Sequence, residues 1–233
     1  MIDAASVATE AGWTQMTLHN SISEEIASLL EGGSVTCRQW TEQDLGPYYL
    51  DGQPVRRDIT EGRPGVPLGL GLLLAEDDGS PVCYAAVGIW HCDAAGRYSG
   101  FPPPAPSASA PSRTPARPQY ARDPSFLRGR QTTDTAGMVE FRTIYPGWYP
   151  GRTVHIHLMI SSPGKVLTSQ LYFPDPLTDT VHARPPYSQR PGRDTANDTD
   201  VIFPTGREPA VLQLRATTNG YLGAVRLHLP RSV

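Results

Sequence analysis

Between Val154 and Ile160 the chain alternates strictly: Val154, Ile156, Leu158 and Ile160 are interleaved with His155, His157 and Met159. Side chains in a strand change face with every residue, so this pattern predicts a β-strand with an apolar face and both imidazoles on the other. Two imidazoles on one face of one strand can close on a single metal ion. Just upstream, Pro146, Gly147, Pro150 and Gly151 bracket Trp148 and Tyr149 in backbone that must bend sharply. A phenol is thereby presented on a stiff loop leading into the histidine pair.

The rest of the chain is punctuated in the same way. With 24 prolines and 22 glycines separating many short apolar runs, the 233 residues predict an all-β chain long enough to bury a core. Strands are expected over 68–74, 82–90, 126–133, 138–144, the histidine run, 165–173, 210–216 and 221–229. Turns at Asp77–Gly79, Asp134–Gly137 and Asn219-Gly220 fall between them. That spacing is the spacing of a β-sandwich. Residues 1–35 are expected to form an N-terminal arm and residues 36–233 the β-domain. In the arm, Ser21 or Ser23 could cap a short helix with Ile22, Ile26, Leu29 and Leu30 as its apolar stripe, stopped by Gly32 and Gly33. Such an arm packs on its own domain or on a second subunit, which makes a homodimer one expected assembly. Residues 102–118 are low-complexity Pro/Ala/Ser sequence, expected to be a mobile surface loop. Residues 174–205, with Pro174, Pro176, Pro185, Pro186 and Pro191, are expected to be a long loop.

A net charge of −3 with dispersed basic residues gives no electrostatic footprint for nucleic acid. No run approaches the roughly 18 to 20 apolar residues of a membrane-spanning helix. Residues 1–20 lack both a basic start and an apolar core of a secretory signal, so a cytoplasmic location is expected, with a trimmed secreted form left open. Cys37, Cys83 and Cys92 allow one disulfide plus a thiol, or three reduced cysteines.

By itself His155-x-His157 leaves the metal undecided, because the spacing occurs at zinc, iron and manganese sites and in plain cores. Tyr98 and Tyr149 add two phenols in Gly-rich, turn-bounded loops. Tyr84, Tyr172 and Tyr221 fall in predicted strands and are read as packing. His91, His182 and His228 share no comparable spacing and are read as structural or solvated.

Three blocks carry a family resemblance: Ile89 to Gly100, Phe126 to Asp134, and Arg142 to His157. Together with Leu45-Gly46-Pro47-Tyr48 and Ser169 to Phe173, they resemble the intradiol ring-cleavage dioxygenases over roughly residues 37–229. The resemblance implies a prealbumin-like β-sandwich and a non-haem Fe(III) held by Tyr98, Tyr149, His155 and His157. It implies O2-dependent cleavage of a catechol-type substrate to a cis,cis-muconate-type product. Tyr149 would help accept a catechol proton, and Arg152 and Gln170 would line the substrate site beside Leu45, Pro47 and Tyr48. The donor set suits the ion: a tyrosine of pKa near 10 needs a strong Lewis acid to be a phenolate at neutral pH, and Fe(III) is one. A long N-terminal helical region like that of the larger catechol 1,2-dioxygenases is missing from the pattern. The insertion at 102–118 follows Tyr98 closely, at the expected border of the entrance. Both point to a smaller, divergent branch.

Three rival readings are defined by the same residues. A zinc hydrolase would use His155 and His157 and have no need of the tyrosines. A non-catalytic sandwich would bind a carbohydrate or a protein. A variant iron enzyme would take a polycyclic or substituted diol from specialised metabolism.

Overall fold

Ten strands and two α-helices follow one another in the computed structural model, which describes residues 24–30, 35, 37–102, 125–162, 164–203 and 209–230. Helix α1 covers residues 24–30. Strands β1 (Cys37–Gln39), β2 (Pro67–Glu76), β3 (Ala86–Trp90), β4 (Arg128–Thr132), β5 (Met138–Ile144), β6 (His155–Ser162) and β7 (Lys165–Tyr172) precede helix α2 (Asp175–His182). Strands β8 (Ala210–Val211), β9 (Gln213–Ala216) and β10 (Tyr221–Leu229) close the chain.

The strands form two five-stranded sheets. One runs β1-β10-β2-β5, with β9 also paired to β10; the other runs β4-β3-β6-β7-β8. This is the expected β-sandwich. In β2, Leu68, Leu70, Leu72 and Leu74 all point inward and are 0–1 % exposed, the period-2 pattern of a half-covered sheet. They meet Val87, Ile89, Ile156, Leu158 and Ile160 from the second sheet in one core. Burying each such side chain contributes about 1.5–3 kcal/mol.

Strand β6 lies at the centre of its sheet, antiparallel to β3 and β7. Its apolar residues fill the inter-sheet core, so His155, His157 and Met159 face the opposite side, as the alternation predicts. That outer face is covered by loops, and a second apolar cluster forms there around Trp90, Cys92, Tyr98 and Tyr149. The candidate site residues therefore sit outside the sandwich, under its loops.

Helix α1 behaves as a satellite of the first sheet. Ile26, Leu29 and Leu30 of α1 pack with Leu222 and Ala224 of β10. Ser21, Ile22, Ser23, Gly32 and Gly33 lie outside the described residues, as does nearly all of the 102–118 segment.

Three expectations are corrected. Residues 210–216 are two strands, β8 in one sheet and β9 in the other. Residues 82–90 are not one strand: Tyr84 has φ +57 and is 71 % exposed, and the strand starts at Ala86. Tyr84 is thus not a packing residue. The 174–205 segment contains helix α2, whose Pro at the first turn and acidic Asp175 are ordinary helix-start signals hidden in a proline-rich stretch. All three cysteines are free thiols, Cys92 buried and the other two exposed. No helix among the described residues is long and apolar enough to cross a membrane.

Candidate metal centre

The histidine pair is aimed by a hydrogen bond at His155 and by ring stacking at His157. His155 Nδ1 donates to Thr153 O at 2.7 Å, which leaves the lone pair on Nε2. That Nε2 lies 3.2 Å from His157 Nε2 and 3.3 Å from Tyr149 Oη. Separations of about 3 Å are those between neighbouring corners of a shell whose ligands stand about 2.1 Å from one ion. The indole of Trp90, the β3 partner of His157, stacks on that imidazole at 4.9 Å with planes 1° apart.

Tyr98 approaches from the loop after β3. It is 3 % exposed, and its hydroxyl has no hydrogen-bond partner among the described residues. Its ring lies 5.7 Å from that of Tyr149 and 6.1 Å from that of His157. An unpartnered buried hydroxyl is costly and calls for an explanation. A metal ion between the two tyrosines and two histidines supplies one.

The two tyrosine loops are locked together through glycines. Asp93 Oδ1 accepts from Ala95 N and Arg97 N and so folds the loop that carries Tyr98. A Cβ on Gly147, next to the Tyr149 segment, would lie 2.4 Å from Asp93 O. A Cβ on Gly96 would lie 2.2 Å from Trp148 O. Each loop needs the other's glycine.

Burial sets the protonation of the candidate ligands. It pushes His155 down to about 3, with the charge of Arg152 adding to the effect. It pushes His157 well below the usual imidazole value, with His155 and Arg152 adding to it. Both rings are neutral, as metal ligands must be. Burial likewise raises the phenols of Tyr98 and Tyr149, although Arg152 works against this at both. Neither ionises at neutral pH without a strong Lewis acid beside it. Two hard phenolate oxygens and two imidazoles fit a trivalent iron.

Arg152 and Gln170 are both buried, 4 % and 0 % exposed. Neither side chain faces solvent; Gln170 lies on β7, which runs between β6 and β8 and is not an edge strand. Arg152 Nη2 donates to Gln170 Oε1 at 2.5 Å, and Tyr172 OH donates to the same oxygen at 3.2 Å. Leu45 and Tyr48 pack on the Trp90–Tyr98–Tyr149 cluster, with Pro47 between them on one loop. Tyr48 stacks on Tyr98 at 4.2 Å, which brings the expected substrate loop against the expected ligands.

Several participants escaped the sequence reading. Trp90 falls within the Ile89 to Gly100 block without being singled out there, and Tyr172 reads as packing. Asp200, 48 residues from the Arg152 that it pairs with at 2.9 Å, carried no signal at all. Among the described residues no three His, Cys, Asp or Glu side chains converge on a metal position, so a zinc hydrolase would find no third conventional ligand beside the histidine pair.

The family model described as Dioxygenase matches residues 45–187. The chain belongs to the intradiol ring-cleavage dioxygenase family. It is 34 % identical over 147 residues to the protocatechuate 3,4-dioxygenase beta chain of Burkholderia cepacia, covering 58 % of this chain and 56 % of that one. It is 27 % identical over 169 residues to a chlorocatechol 1,2-dioxygenase of Rhodococcus opacus, covering 60 % of each. The chain thus spans little more than half the length of these curated relatives. Among solved structures, the intradiol ring-cleavage dioxygenase of Tetranychus urticae is 31 % identical with a TM-score of 0.70, covering 82 % of this chain and 94 % of that one. Catechol 1,2-dioxygenase of Pseudomonas arvilla C-1 shares the fold at 21 % identity and a TM-score of 0.59, covering 92 % and 69 %.

Proposed function

We propose that this chain is an Fe(III)-dependent dioxygenase that opens a catechol-type ring between its two hydroxylated carbons. O2 contributes both of its atoms to a cis,cis-muconate-type product. The observation that carries the reading is the convergence of Tyr149 Oη, His155 Nε2 and His157 Nε2 within 3.3 Å steps beside the unpartnered hydroxyl of Tyr98. Tyr98, Tyr149, His155 and His157 hold the ion. Bound there, ferric iron would supply the Lewis acidity that lets the tyrosines and the diol ionise and makes the ring reactive towards O2.

The remaining steps belong to the side chains. Tyr149 Oη takes a proton from an incoming diol hydroxyl, and its Pro/Gly frame lets the phenol move as it does so. Arg152, held against Gln170, presents positive charge where the substrate oxygens gather charge during ring attack. Tyr48 and Leu45 roof the ring, and the aromatic cluster around Trp90 keeps water from the site.

The test is direct. Protein produced with iron should be red-brown, contain about one iron per chain, and take up one O2 per catechol-type diol with a muconate-type product. Colourless, iron-free protein that retains full activity would overturn the proposal.

A further inference from the structure

Resting on that reading of the site, we propose that Asp200 is a specificity-determining residue: by occupying Arg152, it makes this a site for diols without an anionic ring substituent.

The carboxylate is fully buried and both of its oxygens are committed. Oδ2 accepts from Arg152 Nε at 2.9 Å and from Thr153 N at 2.6 Å, while Oδ1 accepts from Ile202 N at 2.7 Å and Phe203 N at 3.0 Å. The loop around residue 200 is thus wound about this one side chain and tied to the stretch leading into His155.

What this does to Arg152 is specific. A free guanidinium grips a carboxylate best along its Nε–Nη2 edge, with two parallel hydrogen bonds. Here that edge is divided, Nε to Asp200 and Nη2 to Gln170. An anionic substituent arriving at Arg152 finds no free side-on fork and meets the charge of Asp200 as well. Its desolvation cost stays in full while the Coulombic return is reduced. A neutral diol gives up nothing by comparison. The other buried cation on this side, Arg128, does not replace the lost fork. Its guanidinium is spent on Ser99 Oγ, Ser99 O and Tyr48 O, and it lies against the rings of Tyr98 and Phe101.

The experiment compares anaerobic equilibrium binding of catechol and of 3,4-dihydroxybenzoate to the iron-loaded protein. Wild type should favour catechol. Asp200→Asn keeps an oxygen acceptor for Thr153 N but removes the charge, and the preference should move towards the carboxylated diol by about tenfold. A folded Asp200→Asn protein with an unchanged ratio, or a wild type that prefers the carboxylated diol, overturns the proposal. Should Asp200→Asn lose its cooperative melt, Arg152→Gln reads the same relation from the other side. With Asp200 left uncompensated, the carboxylated diol should be rejected more strongly than in wild type, and an unchanged ratio again overturns the proposal. Ring cleavage is scored separately. If wild type turns over no diol, the proposed reaction fails, while the binding ratio still decides the role of Asp200.

Discussion

Gly46 lies directly against the ring of His157: a Cβ at position 46 would stand 2.6 Å from His157 Cε1. The expected substrate loop, Leu45 to Tyr48, is therefore seated on a candidate iron ligand through a residue with no side chain. Gly46 also has φ +77, a conformation that disfavours any Cβ. Gly46→Ala should lower stability by about 2–3 kcal/mol through overpacking and strain and reduce iron content. Gly52→Ala is the control, since Gly52 has φ +72 but nothing within 4 Å of its Cβ position. It should show the strain and keep its iron. Melting curves and metal analysis on both variants decide the matter; equal iron loss in the two would show that the contact with His157 is irrelevant.

Tyr98 illustrates a site held ready at the expense of stability. Its buried hydroxyl lacks a partner, a situation that costs about 1–3 kcal/mol. Tyr98→Phe should therefore make the metal-free protein more stable than wild type by about 1 kcal/mol, while the iron-loaded form loses colour and activity. Tyr149→Phe should also change the colour and abolish most turnover. Its gain in metal-free stability should be smaller, because Tyr149 Oη already contacts His155 Nε2. Chemical denaturation of the stripped proteins, compared with visible spectra of the loaded ones, checks both halves.

His91, outside the ligand set, predicts a pH dependence of folding. It is fully buried, with Nδ1 donating to Cys92 O at 2.8 Å and Nε2 accepting from Thr143 Oγ1 at 2.7 Å. Burial pushes it down to about 4, against the opposing pull of the Cys92 carbonyl and Asp93 and with help from Arg128. Between about pH 6.5 and pH 4 the unfolded chain therefore takes up a proton that the folded chain refuses. Stability is unaffected by His91 above that window and falls as pH drops through it. In metal-free protein, wild type should lose about 2 kcal/mol more than His91→Gln between pH 7 and pH 5. The remaining histidines are common to both proteins, and His155 and His157 feel His91 more weakly than they feel burial and Arg152. Equal losses would mean that His91 is charged or solvated in the fold.

What could be read in advance was what is local. Strands β5 and β10 have the expected limits, 138–144 and 221–229, because alternating apolar residues and flanking turns are written in adjacent positions. The histidine strand was legible for the same reason. Tyr84 was not: an apolar run from Val82 to Trp90 reads as one strand. Only the tertiary bonds of Val82 O and Tyr84 N to Thr133 show where the chain leaves the extended conformation. Asp200 was illegible for a deeper reason. Nothing in Asn197-Asp198-Thr199-Asp200 differs from any polar loop until Arg152 is brought to it by the fold. Candidate ligands on a patterned strand announce themselves, whereas partners supplied by irregular loops do so only in three dimensions.

The coupling between the two tyrosine loops is testable at Gly147. Its missing Cβ would lie 2.4 Å from Asp93 O and 2.7 Å from Ala94 O, both backbone atoms of the loop that carries Tyr98. Backbone cannot rotate away as a long side chain can, so Gly147→Ala must separate the loops. Tyr149 follows two residues after the substitution and Tyr98 lies four residues beyond Ala94, so the shift acts on the distance between two candidate ligands. The expected result is a stability loss of about 1–3 kcal/mol, together with weaker iron retention and a displaced charge-transfer band. Gly192→Ala provides the contrast, because that position is open for 4 Å and does not have a positive φ. It should match wild type in all three measurements. If Gly147→Ala lost stability but bound iron with an unchanged spectrum, the packing of the loops would not set the geometry of the metal centre.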